Sequence, residues 1–211
     1  MIDISQRVQD DFQAFMKLFA RFSAMLHVAA PGIIQSFDAT AQTVTVQLAI
    51  KERVTLDGDA NNSRTTDDQE FPVLSDLPIV SLRGGGFSVT VPIQAGDECL
   101  VVFADSCFDA WFQSGGIQSQ MFKRRHSLAD GFAIVGVGSK PNAIASYATD
   151  KMQIRNIDGT VSVDIKSAEI DVTAPTIKIT GSTNVFINNK DFLLHTHSGV
   201  TSGIGDTGPV A

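Results

Sequence analysis

The chain opens on a helical stripe. Apolar positions fall at Ile4, Val8, Phe12, Phe15, Phe19, Phe22 and Leu26, and Met16, Leu18 and Met25 widen the band. Steps of three and four are close to a heptad seam and predict one helix over residues 3–27, stopped at Pro31-Gly32. The opposite face is mixed, with Asp10, Asp11, Lys17 and Arg21. A membrane-surface helix favours Lys and Arg there, so the stripe is expected to pack on a partner helix or on the protein's own body. From residue 33 the pattern changes to short alternating runs. Gly32-Ile33-Ile34-Gln35-Ser36-Phe37 and Thr43-Val44-Thr45-Val46-Gln47-Leu48 flank Asp38-Ala39-Thr40, which reads as a hairpin turn. Residues 57–70 are polar and predict a surface loop, and residues 71–82, with Pro72 and Pro78, suit irregular or edge structure. Gly84-Gly85-Gly86 precedes an alternating strand at 87–91. Gln94-Ala95-Gly96-Asp97 turns into a central strand, Glu98-Cys99-Leu100-Val101-Val102-Phe103, and Gly131-Phe132-Ala133-Ile134-Val135-Gly136 suits another. Five or six strands joined by glycine turns predict a small OB-like barrel.

From Lys140 onwards aromatic residues thin out to Tyr147, Phe186 and Phe192, and alternation becomes regular. The apolar positions are Met152, Ile154; Val161, Val163, Ile165; Ala168, Ile170, Val172, Ala174; Ile177, Ile179; Val185, Ile187, with turns at Asp158-Gly159, Ala174-Pro175 and Gly181-Ser182. Each strand offers one narrow face of mid-sized side chains. A monomer would bury it poorly, whereas three chains wrapped about an axis would fill a prism with it. The alternative is a conventional antiparallel sheet lying on the barrel.

Charge and cysteine content narrow the function. The formal charge is −7, tripled in a homotrimer, which repels nucleic acid and anionic headgroups. No run of about 18 apolar residues is present for a spanning helix, and the acidic N-terminus does not read as a secretory signal. Cys99 and Cys107 match no zinc or redox spacing and read as reduced thiols of a protein made in the cytoplasm.

Candidate chemistry concentrates at the end of the chain. In His195-Thr196-His197 an extended backbone points both imidazoles to one side. One imidazole per chain in a trimer gives an open three-ligand site; two per chain give a closed six-nitrogen shell without room for substrate. Such a shell argues against zinc and admits Fe²⁺, Ni²⁺ or Co²⁺. An isolated pair of this kind is ordinarily just polar; the strands before it and the Gly-rich tail after it favour the metal reading. Asp57, Asp59, Asn61 and Asp68 echo a calcium loop but lack its Gly and its final Glu. Gly84-Gly85-Gly86 lacks a following Lys-Ser/Thr and opens a strand, so it is no phosphate loop. Lys123-Arg124-Arg125-His126 reads as a solvated basic face or a contact for an acidic partner. No catalytic triad or carboxylate pair is recognisable, so the chain reads as no enzyme.

The order of these parts resembles the central spike proteins of contractile-tailed phages and tailocins, over most of the chain. Residues from Gly32-Ile33-Ile34 to Gly96-Asp97-Glu98-Cys99-Leu100-Val101 look like the N-terminal spike domain. Residues 141–194 look like its intertwined triple-stranded β-helix, and His195-Thr196-His197-Ser198-Gly199 with the Gly205-Asp206-Thr207-Gly208-Pro209 ending looks like its iron-binding apex. The resemblance implies a mainly β protein with an amphipathic helix at 1–30, an OB-fold-like domain at 31–140, a trimeric β-helix at 141–194 and a metal-binding apex at 195–211. It further implies a homotrimer holding one iron ion on His195 and His197 of three chains. Such a trimer would sit at the baseplate tip of the virion on hub and tail tube proteins, contact the bacterial outer membrane transiently, and touch no nucleic acid. A receptor- or glycan-binding tail tip and a metal-dependent enzyme using the histidine pair are the alternatives.

Overall fold

The computed structural model describes residues 4–56 and 65–192. Two compact units divide the chain, Met1–Ala143 and Ile144–Ala211. The first contains a helix α1 (Ile4–Ala24), strands β1 (Ala29–Asp38), β2 (Thr43–Leu48), β3 (Lys51–Leu56), β4 (Thr65–Glu70), β5 (Leu74–Pro78), β6 (Arg83–Gly84), β7 (Phe87–Ser88) and β8 (Glu98–Phe103), a short helix α2 (Asp109–Ser114) and strand β9 (Gly131–Val135). The second contains β10 (Met152–Arg155), β11 (Ser162–Ile165), β12 (Ile170–Thr173), β13 (Phe186–Ile187) and β14 (Lys190–Asp191).

The main sheet has the order β5-β2-β1-β8-β9, all neighbours antiparallel. It curls. Irregularities between Ile34 and Ser36 in β1 and between Val44 and Val46 in β2 each add local twist. The edges approach where Ile79, just past β5, makes a parallel bridge to Ala133 in β9, and the Val80 N–H donates to the Ala133 carbonyl at 2.9 Å. A five-stranded, partly open barrel with this connectivity is OB-fold-like, as the sequence predicts. Alternation supplies its core: Ala30 and Ile34 from β1, Val44, Val46 and Leu48 from β2, Leu74 and Leu77 from β5, Cys99, Val101 and Phe103 from β8, and Ala133 from β9.

Several local expectations need correction. The first helix ends at Ala24, and Pro31-Gly32 do not stop it: they lie inside β1, because residues Ala29–Ile33 pair with β8. The ring of His27 packs against Phe71 and Phe103, and the Phe103 N–H donates to the Val28 carbonyl, so the chain is already anchored to the sheet there. Part of the polar run expected as a loop is strand β4, zipped to β3 by ion pairs Lys51–Glu70 and Arg53–Asp68, each 3.0 Å. Residues 57–64 lie outside the described residues. The strand expected at 87–91 shrinks to Phe87–Ser88, a two-residue arm closed by Gly85 and Gly86 at positive φ.

Gly32 has a specific steric duty. A Cβ there would sit 2.4 Å from Val46 Cγ1 and 3.4 Å from both Cys99 Sγ and Val101 Cγ2, in the middle of the barrel core. Gly32→Ala is therefore expected to overpack the core and cost about 1–3 kcal/mol. The measurement is a lowered urea midpoint at unchanged slope, followed by the fluorescence of Trp111, the single tryptophan. An unchanged midpoint would mean that β1 and β2 shift freely to accept a methyl group.

Candidate assembly surface

Strands β10, β11 and β12 form an antiparallel sheet whose register sorts its residues by polarity. Met152, Ile165 and Ile170 lie in one row, and Ile154, Val163 and Val172 in another two residues along. Because side chains alternate, both rows share one face, and that face is wholly apolar. The other face carries Gln153, Asp164 and Asp171 in one row and Arg155, Ser162 and Thr173 in the next. Burial is inverted relative to a self-sufficient sheet. Ile154 is 65% exposed and Ile170 66%, whereas Asp164 is only 7% exposed. Fully burying one apolar side chain is worth ~1.5–3 kcal/mol, so five of these six left 40–66% exposed are a large unspent driving force. Ile177, Ile179, Phe186, Ile187 and Phe192 continue the exposed apolar series towards the C-terminus.

The polar face satisfies itself within the chain. Lys151 and Gln153 both reach the Asp164 carboxylate, the latter at 2.8 Å, and hold its carboxyl below the usual range, Lys151 having the larger effect. Lys166 bridges Asp171 at 2.6 Å and Glu169 at 2.7 Å, and Asp171 chiefly raises the ammonium pKa. The Asp158-Gly159 turn forms as the sequence predicts, with the Asp158 carboxylate accepting from Thr160 and Gly159 at positive φ. Among the described residues of β10–β12, the face left without a partner is thus the apolar one.

In the barrel unit the chemistry-bearing groups serve the fold. Arg124 donates through Nε to Asp130 Oδ2 at 2.6 Å and through Nη2 to Asp130 Oδ1 at 2.9 Å and Asp109 Oδ2 at 2.7 Å. Asp130 is buried, and its carboxylate foremost, then that of Asp109, pushes the guanidinium pKa further up. Arg125 and His126 face Asp105. The expectation of a merely solvated basic face therefore fails at Arg124. Sequence reasoning missed this knot because Asp130 and Asp109 lie six and fifteen residues from Arg124, without a local period to link them. Among the described residues, Cys107, Asp109 and Asp130 come within metal-ligating distance of one another, but the guanidinium already occupies both carboxylates with hydrogen bonds. Cys99 and Cys107 are buried free thiols, and burial pushes Cys99 up to about 11.

Among the described residues, two apolar hollows open on the barrel unit, beside a third, of about 570 Å³, lined by Gln42, Ser81, Arg83, Phe87 and Thr90. One of about 380 Å³ is walled by Phe37, Ile79, Leu82, Val89, Val91 and Val135, with Gln42, Ser81 and Thr90 as its polar groups. The other, about 280 Å³, lies against Trp111, Phe112 and Phe132, an aromatic group in which Phe108 stacks on Phe132 at 4.4 Å. Both offer apolar contact and no nucleophile beside a base. No helix among the described residues is long and apolar enough to cross a membrane. The proposed metal ligands His195 and His197 lie outside the described residues, as do Asp57, Asp59 and Asn61 of the calcium-like pattern; Asp68 is in β4, paired with Arg53.

No curated protein matches the chain. A family model described as the phage protein Gp138 N-terminal domain matches residues 30–136. The match starts one residue into β1 and ends one residue past β9, so it covers the curled barrel and leaves out α1 and the whole second unit. Spanning just over half of the sequence, it establishes that the chain belongs to the Gp138 N-terminal domain family of phage proteins.

Proposed function

We propose that this phage protein is a structural part of the virion, the membrane-piercing central spike at the baseplate tip of a contractile tail or tailocin. The observation that carries the reading is the register-aligned apolar face of β10–β12, exposed in one chain while the polar face is satisfied. Three copies turning that face to a common axis would bury it in a closed prism, with intertwined strands that no chain can leave singly. His195 and His197 follow the apolar series, so three chains would bring six imidazoles together at its end. A six-nitrogen donor set suits Fe²⁺, and a filled shell fastens three chain ends where fraying would begin. The role is mechanical, not enzymatic: the barrels would attach to hub and tail tube proteins, and the prism would be driven through the outer membrane on sheath contraction. An acidic exterior should limit adhesion to membrane phosphates during passage.

Native mass spectrometry with elemental analysis of the full protein tests this reading. The expected result is three chains with one iron. The double variant His195→Ala, His197→Ala should lose the ion and remain three chains. A monomer, or one ion per chain, would overturn it.

A further inference from the structure

We propose that the α1 helices of three copies of this chain associate into a parallel three-helix bundle with Phe12, Phe15, Phe19 and Phe22 in its seam. The inference rests on the threefold assembly above but concerns a separate surface, outside both the family match and the strand prism. All four phenylalanines are more than half exposed in the single chain, as is Leu18, so the chain's own barrel does not cover the stripe. Their spacing of three, four and three places them at alternating a and d positions of a heptad, a seam that is complementary to its own copy. Met16 and Leu18 then occupy the flanking e and g positions, while Gln13, Lys17 and Arg21 fall on the outside. A two-stranded seam buries little beyond a and d. In a three-helix bundle each helix faces two neighbours, so apolar flanks are buried as well, and a wider core accepts bulky rings.

The tether favours the same occupant. Only residues 25–28 separate α1 from β1, and that link is fixed by the His27 ring against Phe71 and Phe103 and by the Phe103 N–H on the Val28 carbonyl. Once three barrels are held together elsewhere, three helices share a small volume. Their association becomes intramolecular, at an effective concentration on the order of millimolar. Most helical stability in proteins comes from packing an amphipathic face, and α1 has such a face without a partner in the single chain.

Cysteine cross-linking of the full-length protein tests the seam. Phe15→Cys lies on it and Lys17→Cys on the outer face, and native Cys99 and Cys107 are buried. Under mild oxidation Phe15→Cys should form disulfide-linked pairs of chains at least tenfold faster than Lys17→Cys. In parallel, Phe19→Glu should lose helical ellipticity at 222 nm while native mass still reads three chains. A trimer in which the two cysteine variants react equally, or Phe19→Glu keeps its ellipticity, overturns the bundle and leaves the spike reading intact; the stripe then belongs to another tail protein or to a membrane. A monomeric wild-type chain overturns both.

Discussion

If three chains pack through the β10–β12 face as proposed, Ile165→Asp is expected to turn trimers into monomers without unfolding the chain. Ile165 lies on the central strand β11, between Met152 and Ile170 in its row, and is 40% exposed in one chain. In that single chain a carboxylate there still reaches water, so the intrinsic cost is about 1 kcal/mol. In a threefold prism the same change places three like charges, unpaired, among aliphatic side chains. Even about 3 kcal/mol per copy is roughly a hundredfold in equilibrium constant, and the three costs act together. Sedimentation velocity at micromolar concentration should therefore show a single chain with unchanged far-ultraviolet circular dichroism. Thr173→Ala, on the polar face, should leave the assembly intact. If Ile165→Asp sediments as three chains, the apolar face is not the contact that holds them.

That face was legible because its signal is local. Met152, Ile154, Val163, Ile165, Ile170 and Val172 alternate in the sequence, and pairing only had to bring the rows into line. The barrel strands β2 and β8 were legible for the same reason. The apolar stripe runs on to Leu26 and so predicts a helix over residues 3–27, yet contacts of His27 and Val28 with Phe71 and Phe103 turn the chain into β1. Helix α2 is six residues long, too short for a period, and ends at Gly115 with positive φ. Strand β4 was missed because its polar residues are chosen for cross-strand charge pairing with Lys51 and Arg53, not for burial. The histidine pair lies outside the described residues, so its case still rests on the sequence.

The knot around Arg124 was illegible in the sequence and should nevertheless dominate the stability of the barrel. Asp130 is 1% exposed, with its carbonyl accepting from the Ala104 N–H at 2.7 Å and its N–H donating to the Ser127 carbonyl at 3.0 Å. The carboxylate is therefore fixed in the interior, and both of its oxygens depend on one guanidinium. Arg124→Leu would leave a buried charge unpaired, at a cost of about 3–5 kcal/mol. Arg124→Lys should recover only part of that loss: a single ammonium keeps the charge but cannot span both Asp130 oxygens and Asp109 as the planar fork does. Replacing both partners, Arg124→Leu with Asp130→Leu, should be much milder than Arg124→Leu by itself, because the buried charge is gone and only the solvent-reached Asp109 stays unpaired. Urea titration followed by Trp111, two residues into the helix that Asp109 begins, measures all three variants. A loss below about 1 kcal/mol for Arg124→Leu would mean that water reaches Asp130, whereas a double variant as damaged as the single one would mean that the pair's geometry, not its charge balance, holds the loop against the barrel.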